Sequence, residues 1–92
     1  FAANDSMAIG ALRAFREAGV EVPRDLALAG FDDIPVARYV TPALTSVHVP
    51  IYEMGARAVE AVLDAVAAPD AAPPTVTLPT RLVARESCGH GA

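Results

Sequence analysis

The sequence of 92 residues has no lysine, only one cysteine and no cluster of basic residues. The absence of lysine disfavours a receiver-type phosphorylation site, because such sites usually need a lysine close to the acceptor aspartate. The single cysteine, Cys88, cannot form an internal disulfide, and we interpret it as a bystander in a glycine-rich segment. The net charge is −4 and the seven basic residues are scattered, so we do not expect this segment to grip nucleic acid.

Long apolar runs and targeting signals are also missing. There is no stretch of about 18 apolar residues that could span a membrane, and no signal-peptide pattern opens the chain. We therefore expect a cytoplasmic protein with no membrane partner. The chain begins at Phe1 without an initiator methionine. We also expect it to be a piece of a longer protein, in which a leader could lie upstream.

The stretch around two adjacent aspartates organises the rest of the sequence. An apolar run over Leu26–Ala29 is followed by Gly30, and Asp32 and Asp33 come shortly after. A continuous apolar run of this kind predicts a strand buried on both faces, as in a parallel sheet. Ligands bind outside the carboxyl ends of such strands, which makes Asp32 a candidate ligand contact. The alternative is that both carboxylates only cap a turn.

A strand–helix–strand unit precedes and includes this stretch. Residues 1–3 resemble the end of a strand, a helix is predicted over about 6–18, and Gly19 is well placed to end it in a left-handed turn. Asn4 follows the first strand as Asp32 follows the second. If the two strands are neighbours, both side chains face one crevice. The alternative for Asn4 is a plain helix cap.

The second half of the chain alternates loops, short strands and one long amphipathic helix. We predict, in order, a loop over 34–43, a strand over 44–49, a helix over 50–67, strands over 75–78 and 81–85, and a flexible tail from 86. His48 falls on a predicted strand without other metal-ligating residues at a suitable spacing. We interpret it as an ordinary strand histidine.

Short motifs spread over nearly the whole chain occur together in one order. They are Asn4-Asp5, Ala18-Gly19-Val20, Gly30-Phe31-Asp32-Asp33-Ile34-Pro35, Leu44-Thr45-Ser46-Val47 and Leu82-Val83-x-Arg85-Glu86-Ser87. Each is weak alone, but the combination resembles the C-terminal part of the effector-binding core of the LacI/GalR family of transcriptional regulators. In that family an N-terminal helix-turn-helix headpiece reads operator DNA, and the core has a type I periplasmic-binding-protein-like fold.

The resemblance implies a fold class and a division of the chain. We expect an α/β fragment of a two-lobed fold, with parallel sheets flanked by helices. Residues 1–49 would belong to the C-terminal lobe. Residues 50–79 would supply a crossover helix, a loop and a strand of the N-terminal lobe, and residues 80–92 would form a return strand and a flexible C-terminal tail.

The resemblance also implies a ligand site. Asn4 and Asp32 match family positions that hydrogen-bond a small effector, usually a sugar or a nucleobase. Ile51 matches a position in the pocket wall where other members often carry an aromatic residue, so we expect no direct stacking on a sugar ring there. We expect no catalytic residue, no metal ion and no cofactor.

A homodimer and a mode of action follow from the same resemblance. Ile9 and Arg13 on the first helix, with Tyr39 and Val40 in the loop after the aspartates, match the surface that pairs two such cores. The implied protein is a repressor in which a bound effector shifts lobe closure and dimer geometry. Operator DNA would be bound through the headpiece, which this sequence lacks, and not through this segment.

Two other functions stay open on the residues alone. An exported sugar-binding protein of a transport system shares the fold and would carry a signal peptide upstream. An enzyme is disfavoured, because adjacent residues of an extended chain such as Asp32 and Asp33 point to opposite sides. Ser46 and His48 also lack a third group that would orient them for nucleophilic catalysis.

Overall fold

The computed structural model describes residues 1–90. Its elements in chain order are helix α1 (Asp5–Glu17), strand β1 (Ala29–Asp32), a 3₁₀ turn (Pro35–Arg38), strand β2 (Thr45–His48), helix α2 (Ile51–Ala67), strand β3 (Arg81–Val83) and a second 3₁₀ turn (Glu86–Cys88). They form two units. The first unit comprises Phe1–Val49 and the chain from Arg81 onward, and the second unit comprises Pro50–Thr80.

The sheet of the first unit has the strand order β1-β2-β3. Strands β1 and β2 are parallel, with Ala29 opposite Thr45 and Asp32 opposite His48, whereas β3 is antiparallel to β2. The backbone N–H of Ala2 donates to the carbonyl of Ala29 at 2.8 Å, so the N-terminal residues lie beside β1. Because β1 and β2 are parallel, their carboxyl ends lie at the same edge of the sheet.

Helix α1 packs one apolar face on the core of the first unit. The buried core residues are Ala8, Leu12, Leu28, Ala37 and Leu44. Ala8 and Leu12 are spaced four apart and therefore share a helix face. The helix predicted over about 6–18 is confirmed to within one residue. Gly19 ends it with φ of 75°, a left-handed conformation that glycine adopts at no steric cost.

The first strand differs from its predicted position. It runs over Ala29–Asp32 and not over Leu26–Ala29, and Leu26 is 43% exposed. Gly30, which follows the apolar run, lies inside the strand. Asp32 is accordingly the last residue of β1. The segment predicted as a loop over 34–43 contains the 3₁₀ turn Pro35–Arg38, which begins at a proline that suits the first turn of a helix.

The later strands are fewer and shorter than predicted. Within the described residues no strand forms over 75–78, where Pro74 and Pro79 flank the segment and offer no backbone N–H to a neighbouring strand. The strand predicted over 81–85 is confirmed only for Arg81–Val83. The strand predicted over 44–49 is confirmed for Thr45–His48.

The segment from residue 86, which was predicted to be a flexible tail, begins with a turn that is bonded to the sheet. Glu86–Cys88 forms a 3₁₀ turn, and Ser87 at its centre is completely buried. The Ser87 hydroxyl donates to the carbonyl of Leu28 at 2.6 Å and accepts from the backbone N–H of Thr45 at 2.8 Å. Ser87 therefore ties together the chain segments that lead into β1 and β2, which explains why this turn is ordered.

The second unit consists of helix α2 and the loop that follows it. The helix predicted over 50–67 is confirmed over Ile51–Ala67, and the carbonyl of Pro50 accepts the N–H of Met54 at 2.9 Å. None of its residues is buried. No helix in the described part of the chain is long and apolar enough to cross a membrane. The assignment of 1–49, 50–79 and 80–92 to lobes stays a prediction.

Candidate functional site

The candidate site lies at the edge of the sheet where β1 and β2 end. Asn4 caps helix α1 there, because its Oδ1 accepts the backbone N–H of Met7 at 2.8 Å. Capping occupies only the carbonyl oxygen of the amide, so the NH₂ group keeps its two donors for another partner. The cap interpretation of Asn4 is therefore confirmed, and its contact with a ligand stays a prediction.

Asp32 adopts a backbone conformation that is rare outside glycine. Its φ is 112° and that of Asp33 is 58°. Two such residues in succession cost roughly 1–3 kcal/mol each and persist only where surrounding contacts hold them. The Asp32 side chain is half-buried, and among residues 1–90 no group donates a hydrogen bond to its carboxylate. This carboxylate is therefore a free acceptor of hydrogen bonds.

The side chain of Asp33, in contrast, is buried, and both of its carboxylate oxygens have a partner. Its side chain is only 5% exposed, Oδ1 accepts from Nη2 of Arg85 at 2.7 Å, and Oδ2 lies 2.8 Å from Nδ1 of His48. Burial by itself raises the pKa of the Asp33 carboxyl, but the hydrogen bonds from His48 and Arg85 outweigh it, so that the net pKa lies below the usual value. His48 is thus more than the ordinary strand histidine that its sequence context predicted.

Asp5 is a second buried carboxylate beneath the site. Its Oδ1 accepts from the hydroxyl of Ser46 at 2.7 Å, and its Oδ2 accepts from the backbone N–H of Ile34 at 2.8 Å. The Ser46 hydroxyl in turn accepts from the backbone N–H of Asp33 at 3.0 Å. A side chain on Gly30 would collide with Asp5. Asp5 therefore joins the start of α1, strand β2 and the turn after β1.

These contacts bring two of the three predicted ligand residues to the same edge of the sheet. Asn4 directly precedes Asp5, and Asp5 holds Ile34, two residues after Asp32. Ile51 is the first residue of α2 and belongs to the second unit, where its side chain is 55% exposed. Its contact with a ligand stays a prediction, as do those of Asn4 and Asp32.

Three of the four predicted dimer residues line one surface groove of about 560 Å³. The groove is formed by Ile9, Leu12, Arg13, Arg16, Glu17, Val40 and Thr41. Ile9 and Val40 also pack against the core from the side, whereas Arg13 is exposed and pairs with Glu17 at 3.1 Å. The fourth residue, Tyr39, is 75% exposed and is not part of the groove lining. A homodimer stays a prediction.

Spacing along a helix or strand did not indicate the residues that hold the site together, although all three of them lie in the motifs that carry the family resemblance. Asp5, Ser46 and Arg85 come from three separate segments, and their contacts span 13 to 52 positions of the chain. No spacing rule for helices or strands relates residues so far apart. In the part of the chain that the structure describes, no group of three or more histidine, cysteine or acidic residues could hold a metal ion.

Comparison with known proteins identifies what this chain is similar to. The profile of the family described as periplasmic binding protein-like domain matches residues 1–88. The HTH-type transcriptional repressor MelR of Bacillus subtilis is 48% identical over 89 residues, which cover 97% of this chain and 26% of that protein. This chain thus spans about a quarter of the length of that relative.

Two solved structures resemble the fold closely. A LacI family transcriptional regulator from Enterococcus faecium with bound ribose shares 34% identity at a TM-score of 0.84, over 92% of this chain and 32% of that one. The transcriptional regulator CelR in its cellobiose complex shares 38% identity at a TM-score of 0.85, over 92% of this chain and 26% of that one. These relatives are transcriptional regulators and not enzymes, and they do not favour an exported transport protein.

The family and fold class predicted from the motifs are therefore confirmed. A parallel β1–β2 pair flanked by helix α1 is the local architecture, and the family match extends over nearly all of the described residues. The chain belongs to the LacI/GalR family of transcriptional regulators and forms part of their periplasmic-binding-protein-like core.

Proposed function

We propose that this chain is part of the effector-sensing core of a DNA-binding transcriptional repressor, and that its effector is a small polyhydroxylated molecule, a sugar. The observation that carries the proposal is the free carboxylate of Asp32, which is half-buried at the carboxyl edge of two parallel strands and held in a strained conformation. A carboxylate in such a place can accept hydrogen bonds from two ligand hydroxyls.

The chemistry of the edge suits a sugar in particular. Asp32 offers only acceptors, whereas the amide of Asn4 offers donors that its capping bond leaves free. A sugar hydroxyl both donates and accepts, so one ring can engage both side chains. The ribose and cellobiose complexes of similar regulators support this ligand class. A nucleobase, with N–H donors and ring acceptors, is the alternative ligand with the same complementarity.

The proposed action is a shift between conformations of the whole regulator. Residues 1–49 would contribute to one lobe and 50–79 to the other, with Ile51 in the wall of the cleft. A ligand that binds one closure angle more tightly than the other shifts the population toward that angle. In a homodimer paired through the groove of Ile9, Arg13 and Val40, with Tyr39 beside it, closure would alter the spacing of the DNA-binding headpieces.

The test uses the complete natural regulator that carries this chain. Ribose, cellobiose and hypoxanthine are titrated separately by calorimetry, and binding to DNA from upstream of its own gene is measured with and without each compound. We expect one of the two sugars to bind and to change DNA affinity. Binding of hypoxanthine alone would replace the sugar by a nucleobase, and binding of none with unchanged DNA affinity would contradict the proposal.

The role of Asp32 is tested with a matched pair of variants. Asp32→Asn keeps the size of the side chain but removes its charge, and we expect a loss of about 1.5–3 kcal/mol of binding free energy, roughly 10- to 100-fold in affinity. Asp25→Asn removes an exposed carboxylate that precedes β1 and pairs with Arg24. It should bind the sugar as the parent does. Equal affinities of Asp32→Asn and the parent would exclude Asp32 as a contact.

A further inference from the structure

The turn that follows β1 needs an external restraint. Asp32 and Asp33 both have positive φ, at 112° and 58°, and neither is glycine. Side chains with a Cβ rarely adopt this region of backbone conformation. A free turn of this sequence would relax toward negative φ, and the direction of the Asp32 carboxylate would change with it. The structure must therefore contain contacts that select this conformation.

Those contacts converge on Asp33 and not on Asp32. The backbone N–H of Asp33 donates to Ser46, and its carboxylate oxygens bind Arg85 at 2.7 Å and His48 at 2.8 Å. Arg85 is itself anchored, because its Nη1 donates to the carbonyl of Leu44 at 2.8 Å and its side chain is only 13% exposed. Asp33 is thus fixed from its backbone and from both carboxylate oxygens.

These contacts distinguish the carboxylate of Asp33, which is bound within the protein, from that of Asp32, which has no such partner in the described part of the chain. Arg85 and His48 are the cationic or donor groups bound to Asp33, and within residues 1–90 none is bound to Asp32. Asp32 keeps its lone pairs free, and among residues 1–90 no side-chain hydrogen bond or ion pair orients its carboxylate. Its direction is set by the backbone alone, and that backbone is fixed one residue later.

We propose that Asp33 is a positioning residue, and that its ion pair with Arg85 and its bond to His48 hold the turn in the conformation that aims Asp32 at the effector. The inference rests on the proposed function in one respect, namely that Asp32 is an effector contact. It adds that effector affinity depends on residues that do not touch the effector.

The charge of Asp33 is essential to this role. An asparagine at position 33 can still accept one hydrogen bond from Arg85, but it cannot neutralise the guanidinium and it presents an NH₂ group where a carboxylate oxygen now meets His48. Both restraints are then weakened, since the amide pairs with His48 only in the tautomer whose Nδ1 accepts a hydrogen bond. The Asp32 carboxylate is expected to change direction, because the bonds that remain, from the backbone N–H groups of residue 33 and Ile34, hold the turn only on the side that follows Asp32.

The experiment measures affinity and conformation separately, in the complete regulator. Ribose and cellobiose are titrated into the parent, Asp33→Asn, Arg85→Met and the control Asp25→Asn, which also loses a carboxylate paired with an arginine. All are assayed at a temperature where circular dichroism shows them folded. We expect about tenfold weaker sugar binding for Asp33→Asn and Arg85→Met, and binding within twofold of the parent for Asp25→Asn.

Crystal structures of the parent and the variants without sugar show the conformation of Asp32 directly. A loss of stability alone would not change that conformation. We expect φ of Asp32 to change sign in Asp33→Asn. If Asp33→Asn does not fold, His48→Ala takes its place, because His48 is 39% exposed and its removal leaves the Arg85 pair intact; a change of two- to fourfold in affinity with a displaced Asp32 carboxylate is then expected.

The outcomes separate this inference from the proposed function. If Asp32 keeps its conformation in the variants, Asp33 is not a positioning residue, whether or not a sugar binds. If the parent binds neither sugar while Asp32 is displaced in the variants, the positioning role stands and the sugar is the wrong ligand. Weakened binding with an unmoved Asp32 overturns the inference, since Asp33 would then act directly or through the overall stability.

Discussion

The Asp5 carboxylate fills the space that a side chain on Gly30 would need. A Cβ built on Gly30 would stand 3.3 Å from the Cα of Asp5 and closer still to its Oδ1. The absence of a side chain at Gly30 is therefore what lets helix α1 start against strand β1. This contact explains a glycine within a buried strand, a position where glycine ordinarily weakens the structure.

Gly30→Ala is expected to destabilise the protein by about 1–3 kcal/mol or more, the usual cost of overpacking, because Asp5 must move and release Ser46 or Ile34. The midpoint of urea unfolding measures this. Gly10→Ala is the control, since Gly10 lies within α1 with open space around it. That change should stabilise the helix by roughly 0.5–1 kcal/mol. A neutral Gly30→Ala would mean that Asp5 is free to move.

Ser87→Ala is expected to cost about 1–3 kcal/mol, because it leaves the carbonyl of Leu28 and the N–H of Thr45 buried without their side-chain partner. Urea unfolding again provides the measurement. Ser6→Ala, at an exposed position of α1, should change the unfolding free energy by less than about 0.5 kcal/mol. Equal effects of the two changes would show that Ser87 does not secure the sheet.

The pH dependence of stability should carry a contribution from Asp33. Its folded pKa is lowered, so its stabilisation is fully present above the unfolded pKa of about 3.9 and is lost as the pH falls through the lower folded value. Between about pH 5 and pH 3 the unfolding free energy of Asp33→Asn should therefore fall less steeply than that of the parent. Urea titrations across this window provide the test.

Asp25→Asn is the comparison for that experiment. The pKa of Asp25 is also lowered, first by the backbone N–H of Glu21 and then by Arg24, but its side chain is exposed and its ion pair is screened by solvent. Its removal should flatten the pH profile less than the removal of Asp33. A larger effect of Asp25→Asn would contradict the assignment of Asp33 as the dominant buried carboxylate of this kind.

Ile9→Lys should convert the proposed homodimer of the complete regulator into monomers, because it places a charge in a groove that would face the same surface of a second copy. Light scattering at micromolar concentration measures the mass. Arg57→Glu, on the exposed face of α2 in the second unit, changes a charge outside this groove and should leave the mass unchanged. A dimeric Ile9→Lys would exclude this groove from the interface.

Local signals in the sequence predicted the helices of the first and second units well. The capping side chain of Asn4 and the left-handed Gly19 act within one or two helical turns, and both are observed at the ends of α1. Such signals need only short-range information, which the sequence carries in its spacing.

The spacing of residues in the sequence was not enough to predict where β1 lies or which polar groups of the site are in contact. Leu26 is apolar yet exposed, since strand pairing begins only at Ala29, so a hydrophobic run alone misplaced β1. Arg85 reaches Asp33 across 52 positions of the chain, and Ser87 reaches Leu28 across 59. The tertiary fold determines partners that are so far apart in the chain. Nothing in the sequence indicates which carboxylate Arg85 binds.

The bonds of Ser87 also have a consequence for how the chain folds during synthesis. The bond between Leu28 and Ser87 spans 59 positions of the chain, and the second unit is translated between these two residues. Contacts of such long range form slowly, because the intervening loop must be closed first. We therefore expect the edge of β2 that pairs with β3 to stay unpaired until Arg81 and the residues after it leave the ribosome. Helices α1 and α2 are built from local contacts and can form earlier.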